Sequence, residues 1–75
     1  MVNQKQPRYY TAQLLIKKGR VVRLTGFPKK GDYLYLIHTE SFFAVNKLGQ
    51  LGWKLIQMKQ LSEGLRLSFR YDCQF

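Results

Sequence analysis

The chain has 75 residues, 45% of them hydrophobic and 15% aromatic, which suffices for one modest core and leaves no room for a second domain. Its 13 lysines and arginines against four acidic residues give a formal net charge of +9. A field of that sign attracts polyanions, so the candidate partners are nucleic acid, an anionic membrane surface or an acidic protein. No apolar run is long enough to span a bilayer, and the single cysteine, Cys73, excludes an internal disulfide. We therefore expect a cytoplasmic protein.

The first part of the chain predicts an arm followed by a hairpin. Residues 1–7 are polar and predict a short flexible arm. Tyr9–Ile16 is apolar and aromatic, as expected of a strand. In the following Lys17-Lys18-Gly19-Arg20, Gly19 can take the positive φ that a tight hairpin turn requires.

Two further strands are predicted before the helix. Residues 21–24 form the second strand, which ends before Gly26, and residues 27–31 form a loop that contains Pro and Gly. Residues 33–37, Tyr-Leu-Tyr-Leu-Ile, are apolar at both parities. This pattern predicts a third strand with both faces buried, in the middle of a sheet.

One helix follows. Thr39 is the predicted N-cap, because its hydroxyl can bond an unpaired N–H of the first turn. The predicted apolar stripe of this helix consists of Phe42, Ala44, Val45, Leu48 and Leu51. Gly52 is predicted just past the helix end, in a left-handed conformation.

The C-terminal part predicts two strands. The first, Trp53–Met58, precedes a turn at 62–64. In the last strand apolar side chains from Leu65 onward alternate with polar ones, so that one face is buried and the other is wet. The prediction is thus an α+β domain over 1–75, with a mainly antiparallel sheet of about five strands in chain order β-β-β-α-β-β and one helix on one face.

Residues for catalysis are scarce. His38 is the only histidine, so a site built from two histidines cannot form within one chain, and no cysteine-based zinc site is possible. The four acidic residues are scattered and suggest no acid/base dyad. No glycine-rich loop runs from a strand into a helix to cradle a phosphate. We expect no catalytic residues, no metal, no cofactor and no enzymatic activity.

The basic residues suggest a binding surface. If those on the second and last strands share the open face of the sheet, the loops add a basic rim to it. Such residues contact phosphates with affinity that depends on salt and largely ignores sequence. The candidate binding residues are Lys17, Lys18, Arg20, Arg23, Lys29, Lys30, Arg66 and Arg70.

Exposed aromatics could add to this surface by stacking on unpaired bases. Tyr9, Tyr10, Tyr33 and Tyr35 are the candidates. For most of them a place in the core is the preferred interpretation, because a short domain needs its large apolar side chains inside.

The segment Leu48-Gly49-Gln50-Leu51-Gly52-Trp53-Lys54-Leu55-Ile56 resembles a helix-to-strand signature, Leu-Gly-x-x-Gly-Trp-[Glu/Lys]-Leu-[Val/Ile], of a family of small bacterial and phage domains of unknown function. The resemblance covers roughly the second half of the chain. It implies a fold in which Gly52 closes the helix and Trp53 caps the core, and it implies no activity.

A weaker similarity is to the small linker domains of the cyanobacterial phycobilisome, which are basic and dock on acidic pigment proteins. Residues 33–37, 41–51 and 54–58 correspond to their strand, helix and strand. This chain has an additional final strand, and Gly-Trp where those linkers usually have Gly-Gly.

Two hypotheses of function follow. The first is a nucleic-acid-binding module, for RNA or DNA, that acts through a basic sheet face and hairpin tips. The alternative is a protein-interaction module, an adaptor, inhibitor or linker, that docks on an acidic protein or forms a homodimer through an edge such as the last strand. A membrane-surface role is disfavoured, since the single helix is short and lacks a basic face.

Overall fold

Residues 8–73, which the computed structural model describes, form a four-stranded antiparallel sheet with two helices on one face. In chain order the elements are β1 (Tyr9–Lys17), β2 (Arg20–Thr25), a 3₁₀ helix (Lys30–Leu36), α1 (Ser41–Gln50), β3 (Trp53–Leu61) and β4 (Gly64–Asp72). The α+β class is confirmed. The predicted arm, 1–7, lies outside the described residues. Neither helix within 8–73 has the length and apolar character that crossing a membrane requires.

The strand order is β2-β1-β4-β3, so β1 and β4 are central and β2 and β3 are the edges. The last described strand, β4, is therefore paired on both sides, and the expectation that it forms an edge is wrong. The parity predicted for it is confirmed: Leu67 and Phe69 are buried in the core, while Arg66 and Arg70 belong to the other face. The polar face is not wet throughout, because Ser68, which lies between the two arginines, is only 7% exposed. Central position explains why its apolar face is so thoroughly covered.

The predicted strand over residues 33–37 is wrong, because the segment forms the 3₁₀ helix. A short apolar run fits a buried strand or a buried helical turn equally well. With three residues per turn, Tyr33 and Leu36 fall on one side of the helix. Leu36 is fully buried and Tyr33 packs on the core, whereas Leu34 and Tyr35 are exposed. This segment, together with α1, gives two helices and four strands instead of one helix and five strands.

The β1–β2 connection confirms the predicted turn. Lys18 and Gly19 both have positive φ, 52° and 78°, the combination that a two-residue type I′ hairpin requires. The start of β2 is also bonded on its outer side. Val21 N–H donates to the Thr39 carbonyl at 2.9 Å, and His38 N–H donates to the Val21 carbonyl at 2.7 Å. The outer side of β2 is thus partly covered, whereas β3 pairs only with β4 within residues 8–73.

Helix α1 begins one residue later than predicted. Its N-cap is Glu40, and no side chain caps it; the Thr39 hydroxyl instead donates to the Leu36 carbonyl at 2.6 Å. Ala44 and Leu48 are fully buried. Phe42, which the stripe prediction places inside, is 74% exposed because it lies at the first turn, a quarter-turn or more away from the Ala44–Leu48 line.

Two glycines near the end of α1 have opposite roles. Gly52 has φ 102°, as predicted, and a Cβ added to it would lie 2.9 Å from Cε2 of Tyr71. Gly49 is helical and exposed, and a Cβ added there meets nothing within 4 Å. A methyl group at Gly49 therefore lowers the entropy of the unfolded chain without any clash.

We expect Gly49→Ala to raise the free energy of unfolding by about 0.5–1 kcal/mol. For a domain of this size that corresponds to an increase in Tm of roughly 2–8 °C, measurable by thermal unfolding followed by circular dichroism. Gly52→Ala is the matched comparison and should lower Tm, since it adds strain and a contact with Tyr71. Equal effects of the two substitutions would contradict this account of the helix end.

Candidate nucleic-acid interface

The sheet face opposite the helices carries most of the polar side chains of the strands. The register assigns them, because Ala12 pairs with Phe69 and Leu14 with Leu67 on the core face, and the alternate pairs point the other way. We call this surface the open face. Its members are Tyr9, Thr11, Gln13, Leu15, Lys17, Arg20, Arg23, Thr25, Lys54, Gln57, Lys59, Leu61, Arg66, Ser68, Arg70 and Asp72.

One basic row crosses all four strands of the open face. Leu15 of β1 pairs with Arg23 of β2 and with Arg66 of β4, and Arg66 pairs in turn with Lys59 of β3. Leu15 is only 6% exposed although it lies on this face. The methylene stems of long basic side chains commonly cover such an apolar residue while their charged ends reach water. The row thus presents three cations over an apolar base.

A second basic row lies four residues further along β4. Arg70 pairs with Thr11 of β1 and with Lys54 of β3. Four residues of an antiparallel strand span about 13–14 Å, which is the spacing between the two basic rows. Between them the neutral row Thr25, Gln13, Ser68 and Gln57 offers hydrogen-bonding groups without charge.

Two carboxylates offset part of this charge. Glu63, in the β3–β4 turn, lies 3.4 Å from Nη2 of Arg23. Asp72 lies 2.8 Å from Nε of Arg70 and 3.6 Å from Nζ of Lys54. Exposed pairs of this kind contribute about 0–1 kcal/mol each and exchange readily for another anion. Among residues 8–73, neither Arg66 nor Lys59 has a carboxylate within ion-pair distance.

Tyr9 adds an aromatic ring at the end of the open face. It pairs with Asp72 and is 47% exposed, so the ring is accessible to solvent. The guanidinium carbon of Arg70 lies 4.4 Å from the centre of the ring, a cation–π contact. The guanidinium thus covers one face of the ring, and the stacked pair, which we call the platform, lies at the end of the open face.

The eight predicted binding residues fall into three groups. Arg23, Arg66 and Arg70 share the open face. Lys17, Lys18 and Arg20 lie at the β1–β2 turn, where Lys17 and Arg20 pair at the end of the open face and Nη1 of Arg20 donates to the His38 carbonyl at 3.0 Å. Lys29 and Lys30 lie near the opposite end of β1, since Lys29 and Tyr10 line one pocket. The two loop groups are therefore separated by roughly 23 Å along β1 and do not form one continuous rim.

Lys54 and Lys59 also belong to the open face and were not among the predicted residues. In a regular strand the odd separation of five residues would place them on opposite faces. A bulge between Leu55 and Gln57 inserts Ile56 and restores both lysines to the same face. The spacing of the two lysines in the sequence therefore does not predict that they share a face, because the bulge cannot be seen in the sequence pattern.

The remaining chemistry-bearing residues do not converge. His38 is exposed, with φ 74°, and bonds through its backbone to β2 and Arg20. Cys73 is a half-buried free thiol. Within 8–73, no three His, Cys, Asp or Glu side chains come close enough together to hold a metal ion.

Comparisons with protein-family models, curated proteins and solved structures found no match to this chain. The resemblance carried by residues 48–56 and the weaker similarity to phycobilisome linker domains therefore stay predictions. The expectation that Gly52 ends the helix and that Trp53 caps the core agrees with the structure, in which Gly52 has positive φ and Trp53 is 3% exposed.

The open face also sets the titration of Asp72. The hydrogen bond from Arg70 is the main cause that holds the pKa of the Asp72 carboxyl below its ordinary value of 3.8, and the charges of Arg70 and Lys54 lower it further. A lowered pKa stabilises the folded state at pH above the ordinary value, and that stabilisation is lost as pH falls through the folded-state pKa. It is therefore complete at neutral pH and disappears only in acid.

We expect Arg70→Gln to raise the pKa of Asp72 towards 3.8, because it removes the largest of these effects. An NMR titration of the carboxyl carbon measures it directly. Arg66→Gln, on the same strand and face but outside the Asp72 ion pairs, is the matched control and should leave the pKa of Asp72 nearly unchanged. An equal rise in both variants would show a general field effect instead of a specific bond.

Proposed function

We propose that the protein is a non-enzymatic module that binds nucleic acid on the open face. The observation that supports this most is the pair of basic rows, which set five cations against two carboxylates on one solvent-facing sheet surface. Such a density exceeds what folding requires, since charges confined to one face repel one another. A polyanion that lies across the strands relieves that repulsion.

The binding mode follows from the chemistry of the rows. Arginine and lysine contact phosphate oxygens and release the counterions that surround the nucleic acid, which makes affinity fall steeply with salt. The neutral row between them offers hydroxyl and amide groups to sugars and base edges. The platform of Tyr9 and Arg70 suits an unpaired base. We infer binding that depends weakly on sequence and favours strands with accessible bases.

We expect Lys59→Gln to weaken binding of an oligonucleotide and to lower the slope of log affinity against log salt by about 1, the value for one lost phosphate contact. Lys59 is exposed and unpaired among the described residues, so the substitution should not disturb folding. Fluorescence anisotropy with a labelled single strand, repeated over a range of salt concentrations, measures both quantities.

Lys47→Gln is the matched control, since it removes the same charge from α1 on the other side of the sheet. It should leave the slope close to that of the unchanged protein. If Lys59→Gln and Lys47→Gln act alike, binding follows net charge and not the open face. The double reversal Arg66→Glu/Arg70→Glu is the severe version: unchanged, salt-insensitive binding in it would rule out the proposal.

A second candidate is a protein interaction through β3, favoured by the state of that edge. β3 is nine residues long and pairs only with β4 within the described part of the chain. Leu55, Ile56 and Met58 are 40%, 55% and 60% exposed along it. Unpaired strand edges with apolar side chains accept a further strand, either from a second copy or from an acidic protein.

If β3 is such an interface, Ile56→Lys should abolish a dimer or complex that sizing chromatography detects in nuclease-treated protein. Val22→Lys is the matched control, since Val22 is 38% exposed on the other edge strand, β2. Added salt separates the two occupants: it strengthens association of two equally charged copies by screening and weakens a complex with an acidic partner. If the nuclease-treated protein elutes as a monomer at all concentrations and no other protein elutes with it, this candidate is excluded.

A further inference from the structure

A pocket lined by aromatic rings opens on the helix side of the sheet, at the end where β1 begins. It has a volume of about 300 Å³ and lies between the first residues of β1 and β3, the end of β4 and the loop before the 3₁₀ helix. We call it the aromatic pocket. Its lining residues are Tyr10, Pro28, Lys29, Asp32, Tyr33, Leu51, Trp53 and Tyr71.

The rings that line the aromatic pocket are held by contacts with one another and with Phe27 and Gly52, which lie behind them. The ring of Trp53 lies 5.1 Å from that of Phe27 and 5.3 Å from that of Tyr71, and its Nε1–H donates to the hydroxyl of Tyr33 at 3.2 Å. Tyr71 is further fixed against the backbone of Gly52. Trp53 is 3% exposed, whereas Tyr10 is 39% exposed and lies at the mouth. Rings that are locked before a ligand arrives lose little entropy when it binds.

The polar groups at the mouth define what fits. Lys29 supplies an ammonium group and Asp32 supplies a carboxylate at a pocket otherwise made of rings and apolar side chains. A planar heterocycle can stack on the rings, donate an amino hydrogen to the carboxylate and place an attached anion at the ammonium. We propose that the aromatic pocket binds one nucleotide, with the base among the rings and the phosphate at Lys29.

A second depression adjoins the aromatic pocket at Tyr71 and reaches the open face. It is lined by Gly52, Lys54, Tyr71 and Asp72, of which Lys54 and Asp72 belong to the open face. A single strand that crosses the open face can therefore pass around the end of the sheet and insert a base. This extension to a strand rests on the proposed function, whereas binding of a free nucleotide does not.

The chain contains a single tryptophan, Trp53, so its fluorescence reports occupancy of the pocket directly. We expect adenosine monophosphate to quench Trp53 in a saturable manner. Tyr10→Leu should raise the Kd about five- to a hundredfold, the range for loss of one stacking ring. Lys29→Gly should raise it several-fold; at φ 52° glycine is tolerated without strain, so folding is preserved.

Lys18→Gly is the matched control, because Lys18 also has φ 52° and lies at the other end of β1. It should leave the Kd for adenosine monophosphate unchanged. Quenching that survives both Tyr10→Leu and Lys29→Gly, or quenching by tetramethylammonium but not by the nucleotide, would overturn the assignment. The second result would make the rings and Asp32 a cage for a cation.

The two proposals separate when an eight-nucleotide single strand is titrated into the same variants. Binding that Lys59→Gln weakens but that leaves Trp53 fluorescence unchanged overturns the nucleotide pocket and leaves the open face as the interface. If adenosine monophosphate quenches Trp53 but the oligonucleotide does not bind, the open face is overturned as the interface and the nucleotide pocket stands. Quenching by the strand that both Lys59→Gln and Tyr10→Leu weaken supports the two together.

Discussion

Trp53 joins parts of the chain that are distant in sequence, and most of the structure depends on its burial. Its ring meets Phe27 from the loop after β2, Tyr33 from the 3₁₀ helix and Tyr71 from β4. Edge-to-face and tilted pairs of this kind contribute about 0.5–1.5 kcal/mol each beyond the area they bury. Because Gly52 turns the chain directly into Trp53, the same contact fixes where α1 ends and where β3 begins.

One face of the sheet forms the core and the other carries the basic side chains. In β4, Leu67 and Phe69 pack under the helices while Arg66 and Arg70 lie on the open face. A slip of one residue in register would bury the arginines and expose the core, so the apolar face enforces the position of the basic one. The core therefore fixes the positions of the basic residues along the strands, so the proposed interface is a surface with defined spacing and not a basic tail.

Local patterns predicted some elements well and failed where an element was irregular. The Lys18-Gly19 turn, Gly52 and the alternation of β4 each follow from chemistry within a few residues. The pattern of residues 33–37 predicts a strand where the chain forms a 3₁₀ helix, because periodicity does not separate a short buried strand from a buried helical turn. Lys54 and Lys59 were missed because the bulge at Ile56 reverses the parity.

The candidate site likewise has a part that the sequence predicts and a part that only the tertiary structure reveals. Arg23, Arg66 and Arg70 were placed on one surface conditionally, and the register brings them together. The separation of Lys17 and Lys18 from Lys29 and Lys30 depends on the length of β1 and the path of the following loop, neither of which charge spacing reveals. The aromatic pocket needs residues from β1, the 3₁₀ helix, β3, β4 and two loops, so only the tertiary structure assembles it.

The bonds from residues 38–39 to the start of β2 have a consequence for assembly. Open-ended stacking of sheets requires two free edges per molecule, so that each copy both offers and accepts a strand. Here one edge is partly occupied by the chain itself, through the bonds between Val21 and the His38–Thr39 backbone. The bulge at Ile56 and the flanking lysines disturb the other. A strand added to the remaining edge would therefore close a pair of molecules and leave no second free edge from which a fibre could grow.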